Sequence, residues 1–342
     1  MTRRAVVLFN LGGPDRLEAV EPFLFNLFND PAVMRLPGLV RWPLAKLIAG
    51  RRAKTARGIY EKLGGGSPLL ANTEAQAEAL QARLGPDYRV FVVMRYWHPF
   101  ADEAARSVGE WGAEEIVLLP LYPQFSTTTT ASSLADWNRA ARKAGLTAPA
   151  RAVCCYPDEP GFIDAAAAEI RGILKNWRSS EPKRILFSAH GLPERIVAQG
   201  DPYPWQVGRT VAAIRAALGP ALNGINTVLC YQSRVGPLKW LGPSIDAEVR
   251  RAGAEKVSLL VVPVAFVSEH SETLIELDVE YKHLAGQVGV PTYVRAATVG
   301  AGEGFIGGLA RLVANATAPC ASATGARICP AQFGACTCSV AP

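Results

Sequence analysis

The sequence predicts an α/β protein built from two similar doubly wound lobes with a cleft between them. Apolar runs rich in β-branched residues alternate with polar stretches of helical period, the pattern of buried parallel strands joined by crossover helices. The alternation runs to about residue 155 and restarts near residue 184. An internal echo links the two runs. Gly112-Ala113-Glu114 enters the stretch holding Leu118-Leu119, and Gly253-Ala254-Glu255 enters the stretch holding Leu259-Leu260, at a constant offset of 141 residues. A chain of 342 residues is long enough for two such lobes, each with its own core.

Taken in order, strands are expected at residues 4–10, 88–95, 115–121 and 148–155, then at 184–189, 227–231, 256–267 and 292–295. The first breaks into Asn10-Leu11-Gly12-Gly13-Pro14, a strand-end turn without the spacing of a dinucleotide fingerprint. Residues 17–64 are helical in character, and 72–84 form an amphipathic helix. Between them, Gly64-Gly65-Gly66-Ser67-Pro68 is a loop whose glycines let a ligand approach the backbone. The second strand ends in Arg95-Tyr96-Trp97-His98-Pro99 and the third in Tyr122-Pro123-Gln124-Phe125-Ser126, polar and aromatic groups suited to a flat, anionic ligand.

Residues 257–280, VSLLVVPVAFVSEHSETLIELDVE, organise the second half. An apolar strand runs into Glu269, His270 and a helix starting near Ser271, on which Glu272, Glu276 and Glu280 recur at four-residue spacing. Like charges so placed cost a few tenths of a kcal/mol per pair, so the ladder has no obvious structural benefit. It is read either as a solvated face or as a file aimed at a site, because open α/β sheets bind ligands at the carboxyl ends of their strands. A second strand of the same kind, residues 185–190 (ILFSAH), ends on His190. A neutral imidazole accepts protons near pH 7, and a file of carboxylates carries protons or a cation.

Apolar residues make up 49% of the chain and charged ones 19%, which argues against extended disorder. The net charge of +6 suits anionic small molecules or an anionic membrane surface as well as nucleic acid, but no nucleic-acid motif is present. Prolines at 120, 123 and 263 interrupt the longest apolar runs, so no membrane-spanning helix is expected. The amino-terminal residues turn at Gly12-Gly13-Pro14 before a signal-peptide core is complete, and a cytoplasmic location is expected. Residues 33–48 mix apolar groups with Arg35, Arg41 and Lys46; they read as a lip over a pocket, a peripheral contact with anionic lipid, or ordinary packing. Of seven cysteines, Cys329, Cys336 and Cys338 crowd the last fourteen residues, which in a reducing compartment suggests metal or cluster ligation. Cys230, within a strand, reads as structural.

Several segments together resemble the ferrochelatase family: residues 10–14 (NLGGP), 64–68 (GGGSP), 95–99 (RYWHP), 188–193 (SAHGLP), 201–204 (DPYP), 232–243 (QSRVGPLKWLGP) and 266–278 (FVSEHSETLIELD). The resemblance spans residues 4 to about 315 and implies the chelatase fold, two Rossmann-like lobes around a porphyrin cleft. The domains expected on that basis are residues 1–155, 156–315 and a cysteine-rich tail, 316–342. The implied reaction inserts Fe2+ into protoporphyrin IX with release of two protons, the last step of haem synthesis. A coproporphyrin ferrochelatase and a non-catalytic porphyrin or haem carrier are the alternatives. A nucleotide-binding enzyme is the generic rival, and the missing glycine fingerprint and P-loop count against it.

On that resemblance His190 is the central base or first metal contact, Glu272 faces it, and His270 and Glu276 continue the polar path; His190 and Glu272 are the expected contacts of the Fe2+ substrate. Leu11, Tyr60, Tyr96 and Trp240 would line the macrocycle, although any of the aromatic residues could equally be core. Arg51, Arg52, Arg95 and Ser67 would pair with the propionates. Some relatives carry a [2Fe–2S] cluster on a cysteine-rich C-terminus. Cys155, Cys329, Cys336 and Cys338 are the expected ligands, with Cys154 and Cys320 as substitutes for Cys155; zinc would accept the same thiolates.

Overall fold

In the computed structural model, described residues are 2–339 except 178–179, 235, 237 and 318, so Val235 and Pro237 of the 232–243 segment and the last three residues of the tail lie outside them. The chain resolves into two compact units. The first comprises residues 1–156, 309–328 and 336–342; the second comprises 157–308 and 329–335. Each has one parallel sheet. No described helix is long and apolar enough to cross a membrane.

In the first unit, β1 (Arg4–Asn10), β2 (Tyr88–Met94), β3 (Glu115–Pro120) and β4 (Ala150–Cys155) follow the expected runs closely. Their order is β2-β1-β3-β4, extended by a short β9 (Cys320–Ser322) parallel to β4. The sequence does not announce β9, because Cys-Ala-Ser is neither β-branched nor aromatic; pairing with β4 makes it a strand. The second unit repeats the plan with β5 (Lys183–His190), β6 (Asn226–Gln232), β7 (Ser258–Pro263) and β8 (Tyr293–Arg295) in the order β6-β5-β7-β8. The strand orders match, and the 141-residue echo falls on the third strand of each unit, β3 and β7. Strands β1, β5 and β7 are buried almost throughout, as parallel strands covered on both faces must be.

Two elements depart from expectation. Residues 17–64 are not one helical stretch. They form helices Val20–Phe28 and Gly38–Lys62, with 29–37 irregular between them. Ala45, Ala49 and Ala53 recur every fourth residue along the second helix and are buried. The segment after β7 is also unusual: Glu272–Tyr281 is a π-helix, not an α-helix. Two side chains satisfy carbonyls along it, Gln232 Nε2 to Glu272 O at 3.1 Å and Tyr293 Oη to Leu277 O at 2.8 Å. π-turns are uncommon and gather at functional sites.

The glycine motifs serve close approach between loops. A Cβ on Gly13 would lie 2.5 Å from Ser67, and one on Gly66 would lie 2.6 Å from Asp15 O. Ser67 N donates to Pro14 O at 2.7 Å, so the two loops lock together. Gly66 thus meets chain, where the sequence suggested room for a ligand.

Candidate functional site

The strand order of the second unit reverses across β5 and β7, and the carboxyl ends there are where this architecture places ligands. His190 is the last residue of β5, paired in register with Gln232 at the end of β6. The connection after β7 brings in His270, and the π-helix begins at Glu272. Residues 80 positions apart in the chain are therefore gathered by topology at one switch point.

The two histidines are oriented alike. His190 Nδ1 lies 2.5 Å from Gly191 O, and His270 Nδ1 lies 3.1 Å from Ser268 O. A carbonyl only accepts, so each Nδ1 carries the proton in the neutral ring and each Nε2 keeps its lone pair. Both Nε2 atoms face one carboxylate oxygen: Glu272 Oε2 is 3.7 Å from His190 Nε2 and 4.0 Å from His270 Nε2. Burial holds the His270 imidazole below its ordinary pKa, with the Glu272 charge partly opposing the shift. Gly191 is required beside His190, because a Cβ there would lie 2.8 Å from Gln232 O and 3.1 Å from the Trp240 ring.

Glu276 lies one turn further along. Its Oε1 accepts from Ser233 N at 2.8 Å, and its Oε2 accepts from Ser233 Oγ at 2.5 Å and Gln232 Nε2 at 3.0 Å. Burial, then the charge of Glu272, pushes the Glu276 carboxyl above its usual range, against those donors. Gln232 is oriented in turn by Ser188 Oγ, which donates to its Oε1 at 2.7 Å. Tyr203 Oη donates to His190 O at 3.1 Å.

Arg295 supports the same segment from β8. Its guanidinium binds Asp278 bidentately at 2.7 Å on each oxygen and reaches Glu269 Oε1 at 2.8 Å. Glu269 also accepts from Thr298 N at 2.9 Å. Burial opposes its ionisation, but bonds from Thr273, Thr298 and Arg295 prevail and hold it below the usual carboxylate range. The sequence reading did not single out Ser233, Tyr203 or Arg295 as site residues. Ser233 and Tyr203 lie inside the recognised motifs, whereas nothing near Arg295 in the chain marks it.

In the first unit the expected macrocycle contacts are unevenly placed. Leu11, at that unit's β1/β3 switch point, is partly buried against two apolar clusters. Tyr60 and Tyr96 are core residues, packed with Val20, Phe23, Leu24 and Trp97. Tyr96 Oη donates to Asp30 Oδ2 at 2.9 Å. Arg95 is already engaged, with Nη2 2.9 Å from Asp30 Oδ2 and Nε donating to Ser132 Oγ at 2.7 Å. Its guanidinium organises this buried network through Nε and Nη2, while Nη1 lies 3.6 Å from Asp136 Oδ2. Arg51 and Arg52 are exposed on helix Gly38–Lys62, Arg52 lying over the Phe28 ring. Ser67 is half-buried, and in the second unit Trp240 is half-buried beside Gly191. A surface hollow of about 450 Å³ lined by Glu18, Glu21, Phe25, Trp42, Lys46 and Arg57 includes none of these expected contacts.

The first unit also gathers sulfur. Cys154, Cys320 and Cys338 have their Sγ atoms within 4.8 Å of one another, and these residues could hold a metal ion. Cys338 and Cys154 are 3.0 Å apart, Cys320 and Cys338 3.2 Å. Cys336, buried, bonds to both Cys154 and Cys338. Cys320 is the thiol most readily ionised, lowered by donation from Cys154 and Cys338. Three converging sulfurs in a mostly buried setting are a donor set suited to a soft, thiolate-bound centre. The set differs from the one expected on resemblance. β9 sets Cys320 beside β4, and a register shift between Val153 and Cys155 turns Cys154 toward the group, with Cys155 Sγ 3.4 Å from Cys154 Sγ. Cys329 belongs to the second unit, where its sulfur accepts from Gln206 Nε2 at 3.0 Å.

The two parallel sheets, each with a reversal of strand order, have the doubly wound architecture of known chelatases. SirB from Bacillus subtilis with Fe3+ is similar in structure, with TM-score 0.56 at 12% identity over 93% of this chain and 96% of that one. Comparison of sequences is more specific. The ferrochelatase family model matches residues 3–317. The ferrochelatase of Phenylobacterium zucineum (strain HLK1) is 55% identical over 98% of this chain and 97% of its own length, and that of Caulobacter vibrioides (strain NA1000 / CB15N) is 51% identical over 99% and 98%. The chain belongs to the ferrochelatase family. It is an enzyme, a lyase of the final step of haem biosynthesis, in which iron enters protoporphyrin.

Proposed function

We propose that the protein inserts Fe2+ into protoporphyrin IX by using His190 Nε2 as the base that receives a pyrrole proton and Glu272 as the carboxylate that stabilises the resulting imidazolium. The observation that carries this reading is the position of Glu272 Oε2 opposite the basic nitrogen of both His190 and His270. Separations of 3.7 and 4.0 Å are too long for direct hydrogen bonds and leave room for one bridging water or cation. Two pyrrole protons must leave as one dication enters, so overall charge is conserved. His270, kept neutral by burial, stands as a second acceptor, and Glu276 takes protons onward.

Leu11, Tyr60, Tyr96 and Trp240 are proposed as macrocycle contacts, and Arg51, Arg52 and Ser67 as partners for the propionates. Arg95 is proposed as a further propionate partner through Nη1, with its Nε and Nη2 held by Ser132 and Asp30. The domain division proposed is an amino-terminal lobe, a carboxyl-terminal lobe carrying the acidic site, and a cysteine-rich tail. The thiol group is proposed to hold a [2Fe–2S] cluster through Cys154, Cys320, Cys336 and Cys338, a resident group outside the acid–base chemistry. Leu39, Val40, Trp42 and Leu47 are exposed on helix Gly38–Lys62 among Arg41, Lys46, Arg51 and Arg52. That mixture fits peripheral contact with an anionic bilayer.

The test is anaerobic mixing with Fe2+ and protoporphyrin IX, following conversion of the free-base visible bands to those of haem. His190→Ala and Glu272→Ala proteins run alongside, and coproporphyrin III replaces protoporphyrin in a parallel set. Porphyrin binding without turnover by the intact protein would overturn the reading in favour of a carrier, and turnover confined to coproporphyrin would change the substrate.

A further inference from the structure

Ser233 directly follows the second strand of the acidic unit, β6, in a conformation that L-residues avoid. Its φ is +62°, in the left-handed region where glycine is at ease and a side chain is strained. A glycine would satisfy the backbone and still present its N–H to Glu276 Oε1. What glycine could not supply is the hydroxyl, and the hydroxyl is where the two acidic side chains meet. Ser233 Oγ lies 2.5 Å from Glu276 Oε2 and 3.4 Å from Glu272 Oε2. The polar path from His190 therefore runs over 3.7 Å to Glu272 Oε2, over 3.4 Å to Ser233 Oγ and over 2.5 Å to Glu276 Oε2.

We propose that the Ser233 hydroxyl is the proton bridge between Glu272 and Glu276. The inference rests on the reading of His190 and Glu272 as the pair that takes protons from the macrocycle. In the relay, a proton on Glu272 Oε2 passes to Ser233 Oγ while the original Ser233 hydroxyl proton passes to Glu276 Oε2. One O–H bond breaks at Glu272 and one forms at Glu276. Serine is unchanged at the end, and the negative charge moves back to Glu272, opposite the histidines. Rotation about the Cβ–Oγ bond then returns the hydroxyl proton to its starting orientation. The fixed N–H contact to Glu276 Oε1 and the Gln232 bond to Glu276 Oε2 keep the receiving carboxylate in place during the transfer. A hydroxyl suits this role because it both donates and accepts, whereas Gln232 Nε2, the other donor to Glu276, can only donate.

Ser233→Gly, Ser233→Ala and Ser233→Thr separate chemistry from architecture. The backbone preference predicts Gly the most heat-stable of the three and Thr, β-branched, the least. The relay predicts a different order of turnover. Gly and Ala lose kcat by about 10²-fold, the lower end for an acid–base group, while Thr retains most of it. Porphyrin affinity, read by fluorescence quenching, stays within about threefold in all of them. The solvent deuterium effect on kcat should be larger in Gly and Ala than in the intact protein, because the proton then crosses by a slower route. The proposal is overturned if Ser233→Gly turns over within threefold of the intact protein, or if kcat simply follows melting temperature. Absence of iron insertion by the intact protein would instead sink the functional reading along with the relay.

Discussion

His190 Nε2 and Glu272 Oε2 face each other at 3.7 Å, the ring and the helix that carries the carboxylate each held from behind. Gly191 O fixes the histidine tautomer, and Gln232 Nε2 on Glu272 O fixes the first turn of the π-helix. At 3.7 Å and with both side chains partly exposed, such a pair does little for stability. It is ready for a proton.

His190→Ala and Glu272→Gln are each expected to lower kcat by about 10²- to 10⁴-fold, the usual contribution of a positioned acid–base group. Because both act on one proton, the double variant should fall no more than about tenfold below the weaker single variant. Steady-state iron insertion under anaerobic conditions measures this. Losses that multiply in full would show that the residues work independently.

Glu276 has a raised pKa in the folded protein, so the fold favours its protonated form. Its contribution to stability is then fully present below the unfolded value of 4.5 and is lost as pH rises through the folded value. Glu276→Gln, which never ionises, should therefore gain thermal stability over the intact protein as pH rises from 4 to 8, measured by scanning calorimetry. An advantage that shrinks with pH would contradict the assignment.

Arg295→Met should destabilise the second unit by about 3 kcal/mol, the low end for breaking a buried ion pair, because the Asp278 side chain is 36% exposed. Urea unfolding gives the value. Asp278→Asn alone should cost less, since Glu269 still holds the guanidinium.

For the proposed [2Fe–2S] cluster, Cys154→Ser and Cys338→Ser should each abolish binding, read as iron and acid-labile sulfide per chain, and should lower the melting temperature by linkage. Cys230→Ser should retain it. If Cys155→Ser or Cys329→Ser loses the centre while Cys320→Ser keeps it, the ligand set expected from the tail spacing is the correct one.

Leu39→Glu with Trp42→Glu should reduce co-sedimentation with phosphatidylglycerol vesicles without changing turnover in detergent. Equal sedimentation of both proteins would remove the membrane assignment.

Eight of the nine strands among the described residues were legible in the chain because a buried parallel strand must be apolar on both faces, and such runs stand out. β9 was not, since three small residues become a strand only when β4 offers its edge. His190, His270, Glu272 and Glu276 were legible because strand-end position and four-residue spacing are local properties. The π-helix was not: spacing of apolar and acidic residues does not distinguish it from an α-helix, and the donors that satisfy its carbonyls, Gln232 and Tyr293, come from two other strands. Arg95 shows the opposite limit. A cation at a strand end invites a ligand in the sequence, and the fold adds an ion pair with Asp30, sixty-five residues earlier, that nothing local in the chain marks.

By itself the sequence determined the alternation of strands and helices, the repeat of one lobe in the other, and the family to which the chain belongs. Each of these depends on residue type and spacing, which the chain carries locally. Tertiary structure alone decided that one oxygen of Glu272 faces two basic nitrogens, that Ser233 is strained between two carboxylates, and which sulfurs converge. Those are distances of a few ångströms between residues up to 184 positions apart, set by strand order and packing, and spacing along a chain holds no record of them.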